Sequence, residues 1–111
     1  MRNPLVIIPA LLAIVAASQP LAQQSECPAG FHDMPMMPEA RFCQLFDGGV
    51  PASLSYFVAL APAQALSFYQ QELGEQDARV ESHRYVMEKA NWVVVISPDG
   101  TGSQIDILIK H

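Results

Sequence analysis

The feature that most limits how this chain can fold is the uninterrupted apolar run Trp92-Val93-Val94-Val95-Ile96. It is far shorter than the roughly 20 residues that a membrane-spanning helix needs. It is also dominated by β-branched side chains, which favour a pleated strand. The run predicts a central strand buried on both faces, or nearly so. Such a strand needs neighbours to accept its hydrogen bonds and a layer to cover its side chains, and the flanking sequence supplies both.

The cover is predicted over Pro62–Leu73. Pro62 suits a first helical position, where its missing N–H costs nothing. Ala65, Leu66, Phe68, Tyr69 and Leu73 then share a broad apolar face, opposite Gln64, Ser67, Gln70 and Gln71. Gly74 provides a left-handed stop. Residues 54–60 alternate as a strand, with Leu54, Tyr56, Val58 and Leu60 on one side. A short strand is expected at 79–82 and another at 85–89, with His83 in a hairpin turn and Ala90-Asn91 in the next turn. Pro98-Asp99-Gly100-Thr101-Gly102 reads as a loop. Residues 103–110 give the cleanest alternation: Ile105, Ile107 and Ile109 face one way, Asp106, Leu108 and Lys110 the other.

Residues 1–22 read as a signal peptide: Arg2 as the positive region, an apolar stretch from Leu5 to Ala17, and a small-residue end at Ala22, with cleavage after Ala17 as an alternative. The apolar stretch is too short for a span, so no membrane anchor is expected after cleavage. Residues 23–111 are then one small domain, periplasmic or secreted. The formal net charge is −5, and losing Arg2 with the leader makes the chain more acidic still. Without a basic cluster to neutralise phosphates, nucleic acid is not an expected partner.

Residues 23–51 are expected to be irregular, because Pro28, Pro35, Pro38 and Pro51 interrupt them. This segment contains both cysteines, Cys27 and Cys43. In an exported chain two cysteines most simply pair. Closing that loop is worth about 3 kcal/mol in the chain-entropy treatment. Free thiols acting as a redox pair or as metal ligands are the alternative, but the spacing is far from Cys-x-x-Cys.

The sharpest chemical cluster is His32-Asp33-Met34-Pro35-Met36-Met37. Thioethers and imidazole suit Cu(I) in an oxidising compartment, so His32, Met34, Met36 and Met37 form a candidate metal set. The competing reading is apolar packing, the commoner use of methionine. Prolines on both sides hold the segment extended, which would send Met36 and Met37 to opposite sides. Packing is therefore the favoured reading, and no cofactor is expected. No Gly-x-Ser-x-Gly elbow is present, and the sequence around Gly100 lacks the lysine of a phosphate-binding loop. Asp99, Asp106 and Glu88 read as turn and solvent-face residues.

Taken in order, Asp33-Met34-Pro35-Met36-Met37-Pro38-Glu39-Ala40, the Ser67-Phe68-Tyr69…Leu73 helix and the strands ending in Gly100-Thr101-Gly102-Ser103-Gln104-Ile105 resemble small exported bacterial domains. In those domains a Pro-rich lead-in precedes a Phe-Tyr helix and a β-meander. The resemblance implies that the methionines belong to the lead-in. The expected fold is α+β: an antiparallel sheet, one helix packed on one face, and a disulfide-closed irregular N-terminal segment. The expected function is a non-enzymatic module that binds a protein or envelope component, with a copper-binding protein as the alternative.

Overall fold

A computed structural model describes residues 27–111 of the chain. The expected signal peptide at 1–22 lies outside the described residues. The described chain is mostly antiparallel sheet, with one helix and a Cys27–Cys43 disulfide.

Nine elements follow in order: β1 (Gly30–Phe31), β2 (Met34–Pro35), β3 (Arg41–Phe46), β4 (Ala52–Val58), α1 (Pro62–Leu73), β5 (Arg79–Glu81), β6 (Arg84–Glu88), β7 (Trp92–Asp99) and β8 (Gly102–Ile109). β1 and β2 form a small hairpin. The other six strands form one sheet in the order β3-β4-β8-β7-β6-β5. After β4 the chain leaves the sheet, runs along α1 and re-enters at the far edge as β5. It then returns strand by strand, so that β8 slots between β7 and β4. β7 and β8 are the two innermost strands, as their apolar sequences require.

One face of the sheet is the core. Leu54, Tyr56 and Val58 of β4, Val94 and Ile96 of β7, and Ile105 and Ile107 of β8 are almost fully buried there, under Ala65 and Tyr69 of α1. The alternation of β4 and β8 produces this directly, because successive side chains go to opposite faces. The other face carries no helix. Val93 and Val95 lie on it and are partly buried, so β7 is fully buried at Val94 and Ile96 on the face that the helix covers and partly buried on the other.

The ends of α1 follow their sequence. Gln64 Oε1 accepts a hydrogen bond from the Ala61 N–H at 3.0 Å, satisfying a donor at the helix entrance. Gly74 is left-handed (φ 64°, ψ 28°) and its N–H donates to the Gln70 carbonyl. Of the expected covering residues, Tyr69 is fully buried, whereas Leu66 and Leu73 are only partly so.

The N-terminal segment departs from expectation. It is not irregular throughout, since it holds a two-residue hairpin and the six-residue strand β3. The prolines fall at element ends and in connections, leaving Arg41-Phe42-Cys43-Gln44-Leu45-Phe46 free to pair with β4. A bulge hides this strand from a search for alternation. The register jumps between Arg41 and Gln44, and Phe42 sits at φ 58°, so the period-2 pattern breaks after one residue. Two connections are also tighter than their sequences suggest. His32-Asp33 and Ser82-His83 take positive φ at both positions, the geometry of primed two-residue hairpin turns, without the usual glycine. The expected loop 98–102 shrinks to Gly100-Thr101, because β7 continues through Pro98 and Asp99 to pair with β8.

Candidate interaction surface

Of the residues proposed from the sequence as metal ligands, the three methionines are buried and the histidine is exposed. Met34, Met36 and Met37 are 3%, 8% and 4% exposed and belong to the core cluster. Met36 and Met37 are not divided as expected: both line one shallow cavity beside Cys27, Pro28 and Pro38. His32 turns to the surface instead, with Nε2 3.0 Å from Asp47 Oδ1 and its ring edge-to-face with Phe31. Cys27 and Cys43 are joined, with Cα atoms 5.3 Å apart. Cys43 is fully buried. His83 lies in the β5–β6 turn, as expected.

The lead-in is also held by tyrosine. Tyr56 and Tyr69 hydroxyls are 2.5 Å apart, and the Met37 N–H donates to Tyr56 Oη at 3.3 Å. One buried polar pair thus joins β4, α1 and the segment after β2. Burial pushes both phenols above the usual tyrosine range, Tyr69 the further. They stay protonated and serve as hydrogen-bonding groups of the core, out of reach of solvent.

The most distinctive surface lies on the helix-free face at the β3–β4 edge, and the sequence reading missed it. Phe42 and Phe46 are each 67% exposed. Phe42 and Phe57 rings are 6.2 Å apart. The Arg41 guanidinium lies over both, 5.6 Å from the Phe57 centroid and 5.8 Å from that of Phe42. Below them is a groove of about 360 Å³, lined by Phe42, Phe57, Gln44, Ser55, Gln104 and Asp99. Asp106 forms part of its polar surroundings. It accepts from Ser55 Oγ at 2.5 Å and from Gln104 Nε2 at 3.1 and 3.2 Å.

Two backbone features fix the aromatic side of the groove. A left-handed conformation at a bulky residue such as Phe42 is strained by roughly 1–3 kcal/mol, yet here it sets the ring beside Phe57. Phe57 in turn lies against Gly102. A Cβ on Gly102 would come within 2.4 Å of the Val58 carbonyl oxygen and 2.6 Å of the Phe57 ring, so only glycine lets these strands and this ring approach. The available sequence signal was the proline-free run 41–46 with two phenylalanines between Pro38 and Pro51.

The rest of the helix-free face is laced with charge. Arg79 pairs with Glu81 and Glu88, and Lys110 also reaches Glu88 at 3.1 Å. These ion pairs stand on the β5 side, away from the aromatic groove. Among the described residues, no helix is long and apolar enough to cross a membrane. No family model, curated protein or solved structure matches the chain.

Proposed function

We propose that this protein is a non-enzymatic exported module, periplasmic or secreted, that binds a protein partner through the β3–β4 side of its helix-free sheet face. The observation that carries this reading is the gathering of Phe42, Phe46 and Phe57 with Arg41 at one edge. Exposed aromatics and arginine are the residue types that anchor protein interfaces. The Cys27–Cys43 disulfide suits an oxidising compartment. The acidic surface argues against nucleic acid as the partner.

Hydroxyl-radical footprinting tests the reading. The mature protein is labelled alone at low and at high concentration and in an extract of its own cell envelope, and side-chain oxidation is mapped by mass spectrometry. Protection is expected at Phe42, Phe46 and Phe57, with the solvent side of α1 unchanged. Protection centred on α1, or none at any site, would remove the reading.

A further inference from the structure

We infer that the partner at this edge is a second copy of the same chain, with the two β3 strands paired antiparallel about a two-fold axis. The inference rests on the functional reading above and names the occupant of that surface. Among the described residues, no strand pairs with the outer side of β3. Its outward backbone N–H and C=O groups are therefore a template for another strand. The usual protections of such an edge are thin here. β3 is six residues long, contains no lysine or proline, and exposes Phe42, Leu45 and Phe46. Only the bulge at Phe42 perturbs it.

The sequence of the edge is complementary to itself. Antiparallel pairing centred on Gln44 sets Gln44 against its own mate. Phe46 then comes alongside the partner's Phe42, and Asp47, the residue just beyond the strand, comes within reach of the partner's Arg41 once that guanidinium swings off its own aromatic rings. The two-fold axis repeats both contacts. Gln44 and Phe46 lie opposite Ser55 and Ser53, on the helix-free face that also holds Phe42 and its neighbour Phe57. The paired aromatics thus meet on one side of the joined sheet. Asp47 holds His32 through Oδ1 alone, which leaves Oδ2 for the guanidinium. The chain is acidic overall, so two copies repel at long range. At this edge, however, each copy brings one cation and one anion, and their order makes the short-range contacts attractive. Both residues are exposed enough that the attraction is salt-dependent. A strand-to-strand contact is smaller than a standard interface of about 1,600 Å², so a reversible dimer is expected, not a permanent one.

Sedimentation velocity on the oxidised mature protein across a concentration series, at low and high salt, decides the matter. The expected result is a monomer–dimer equilibrium that weakens with salt and has no interchain disulfide on a non-reducing gel. Arg41→Asp and Asp47→Arg should each weaken the dimer by about tenfold or more, roughly 1.4 kcal/mol. Combining them restores the opposite charges and should recover most of the loss. Phe46→Lys should abolish the dimer while circular dichroism remains native. A protein that stays monomeric up to about millimolar concentration, the weak limit of specific association, would overturn the inference. So would a dimer indifferent to the charge exchange and to Phe46→Lys. In either case envelope-dependent protection of Phe42 and Phe46 would leave the functional reading standing with a different partner. Loss of that protection as well would remove both.

Discussion

The sheet has two edges, and they are built in opposite ways. β5 is three residues long, and its Arg79 and Glu81 form part of an ion-pair set that continues to Glu88 and Lys110. Short length and charge discourage another strand from adding there. β3 is twice as long, exposes Phe42, Leu45 and Phe46, and is fastened from behind by the Cys27–Cys43 disulfide. A strand tied down covalently can expose aromatic surface without depending on burial for its own position. The comparison teaches that the β3 edge is stabilised from the core side and left open on the other, whereas the β5 edge is closed by its own side chains.

The largest effect should come from removing that fastening. Cys43→Ser breaks the only crosslink seen among the described residues and leaves a hydroxyl in a fully buried position. Urea unfolding should report a loss of about 2–5 kcal/mol. Arg79→Ala at the other edge should leave the unfolding midpoint within experimental scatter, because exposed ion pairs contribute little. Equal effects at both edges would erase the distinction.

One ladder pair tests the same contrast between neighbours. Leu45 and Leu54 lie directly opposite each other, but Leu45 is 44% exposed and Leu54 fully buried. Leu54→Ala should cost about 2–5 kcal/mol, the range for a large-to-small change in a packed core. Leu45→Ala should cost less than about 1 kcal/mol by thermal or urea unfolding, as expected of a half-exposed side chain. A comparable loss at Leu45 would mean that this edge is already covered in solution.

How much of this was readable beforehand depended on regular patterning. The alternation of Ile105, Ile107 and Ile109, and the proline and glycine bracketing Pro62–Leu73, located β8 and α1 to within a residue. These signals are local, and each has a single structural solution. β3 was not readable, because a bulge with Phe42 in a left-handed conformation interrupts the period that announces a strand. The candidate surface was hidden for the same reason. Phe57 belongs to a recognisable strand, but its neighbours Phe42, Gln104 and Asp99 arrive from β3, β8 and β7 only after long-range pairing. In the sharp sequence cluster, by contrast, His32 lies in a primed turn and bonds Asp47, while the methionines are buried.

The two sides of the molecule should also respond to opposite extremes of pH. Tyr56 and Tyr69 have folded-state pKa values above the ordinary value near 10, chiefly because burial disfavours the phenolate. Their contribution is complete below that value and is lost as pH rises beyond it, because only the unfolded chain can then release the protons. Each titrating tyrosine changes stability by at most about 1.4 kcal/mol per pH unit in that window. Glu88 is the reverse case. Its hydrogen bonds to Lys110 and Arg79 lower its pKa below the ordinary 4.5, so its smaller contribution is present above that value and is lost as pH falls. Tyr69→Phe should flatten the alkaline limb of a stability–pH curve and leave the acid limb unchanged. An unaltered alkaline limb would show that the tyrosine pair does not govern it.

The smallest change is expected where the sequence placed its sharpest chemistry. Met34, Met36 and Met37 lie in the core beside the lead-in that supports β3, and leucine has nearly the same volume as methionine. Such swaps usually cost under about 1.5 kcal/mol each, less where the surroundings repack. The triple variant Met34→Leu, Met36→Leu and Met37→Leu should therefore keep the fold and the association of the β3 edge. It should also match the wild type in a competitive Cu(I) titration, if the thioethers serve only to fill space. The cavity shared by Met36 and Met37 prevents any appeal to diverging side chains, so the argument for packing rests on their burial and on the turning of His32 to Asp47. Tight Cu(I) binding in the wild type that disappears in the triple variant, with unfolding unchanged, would reverse this reading. The β3 edge would then sit beside a metal centre, and its association would have to be measured again with copper bound.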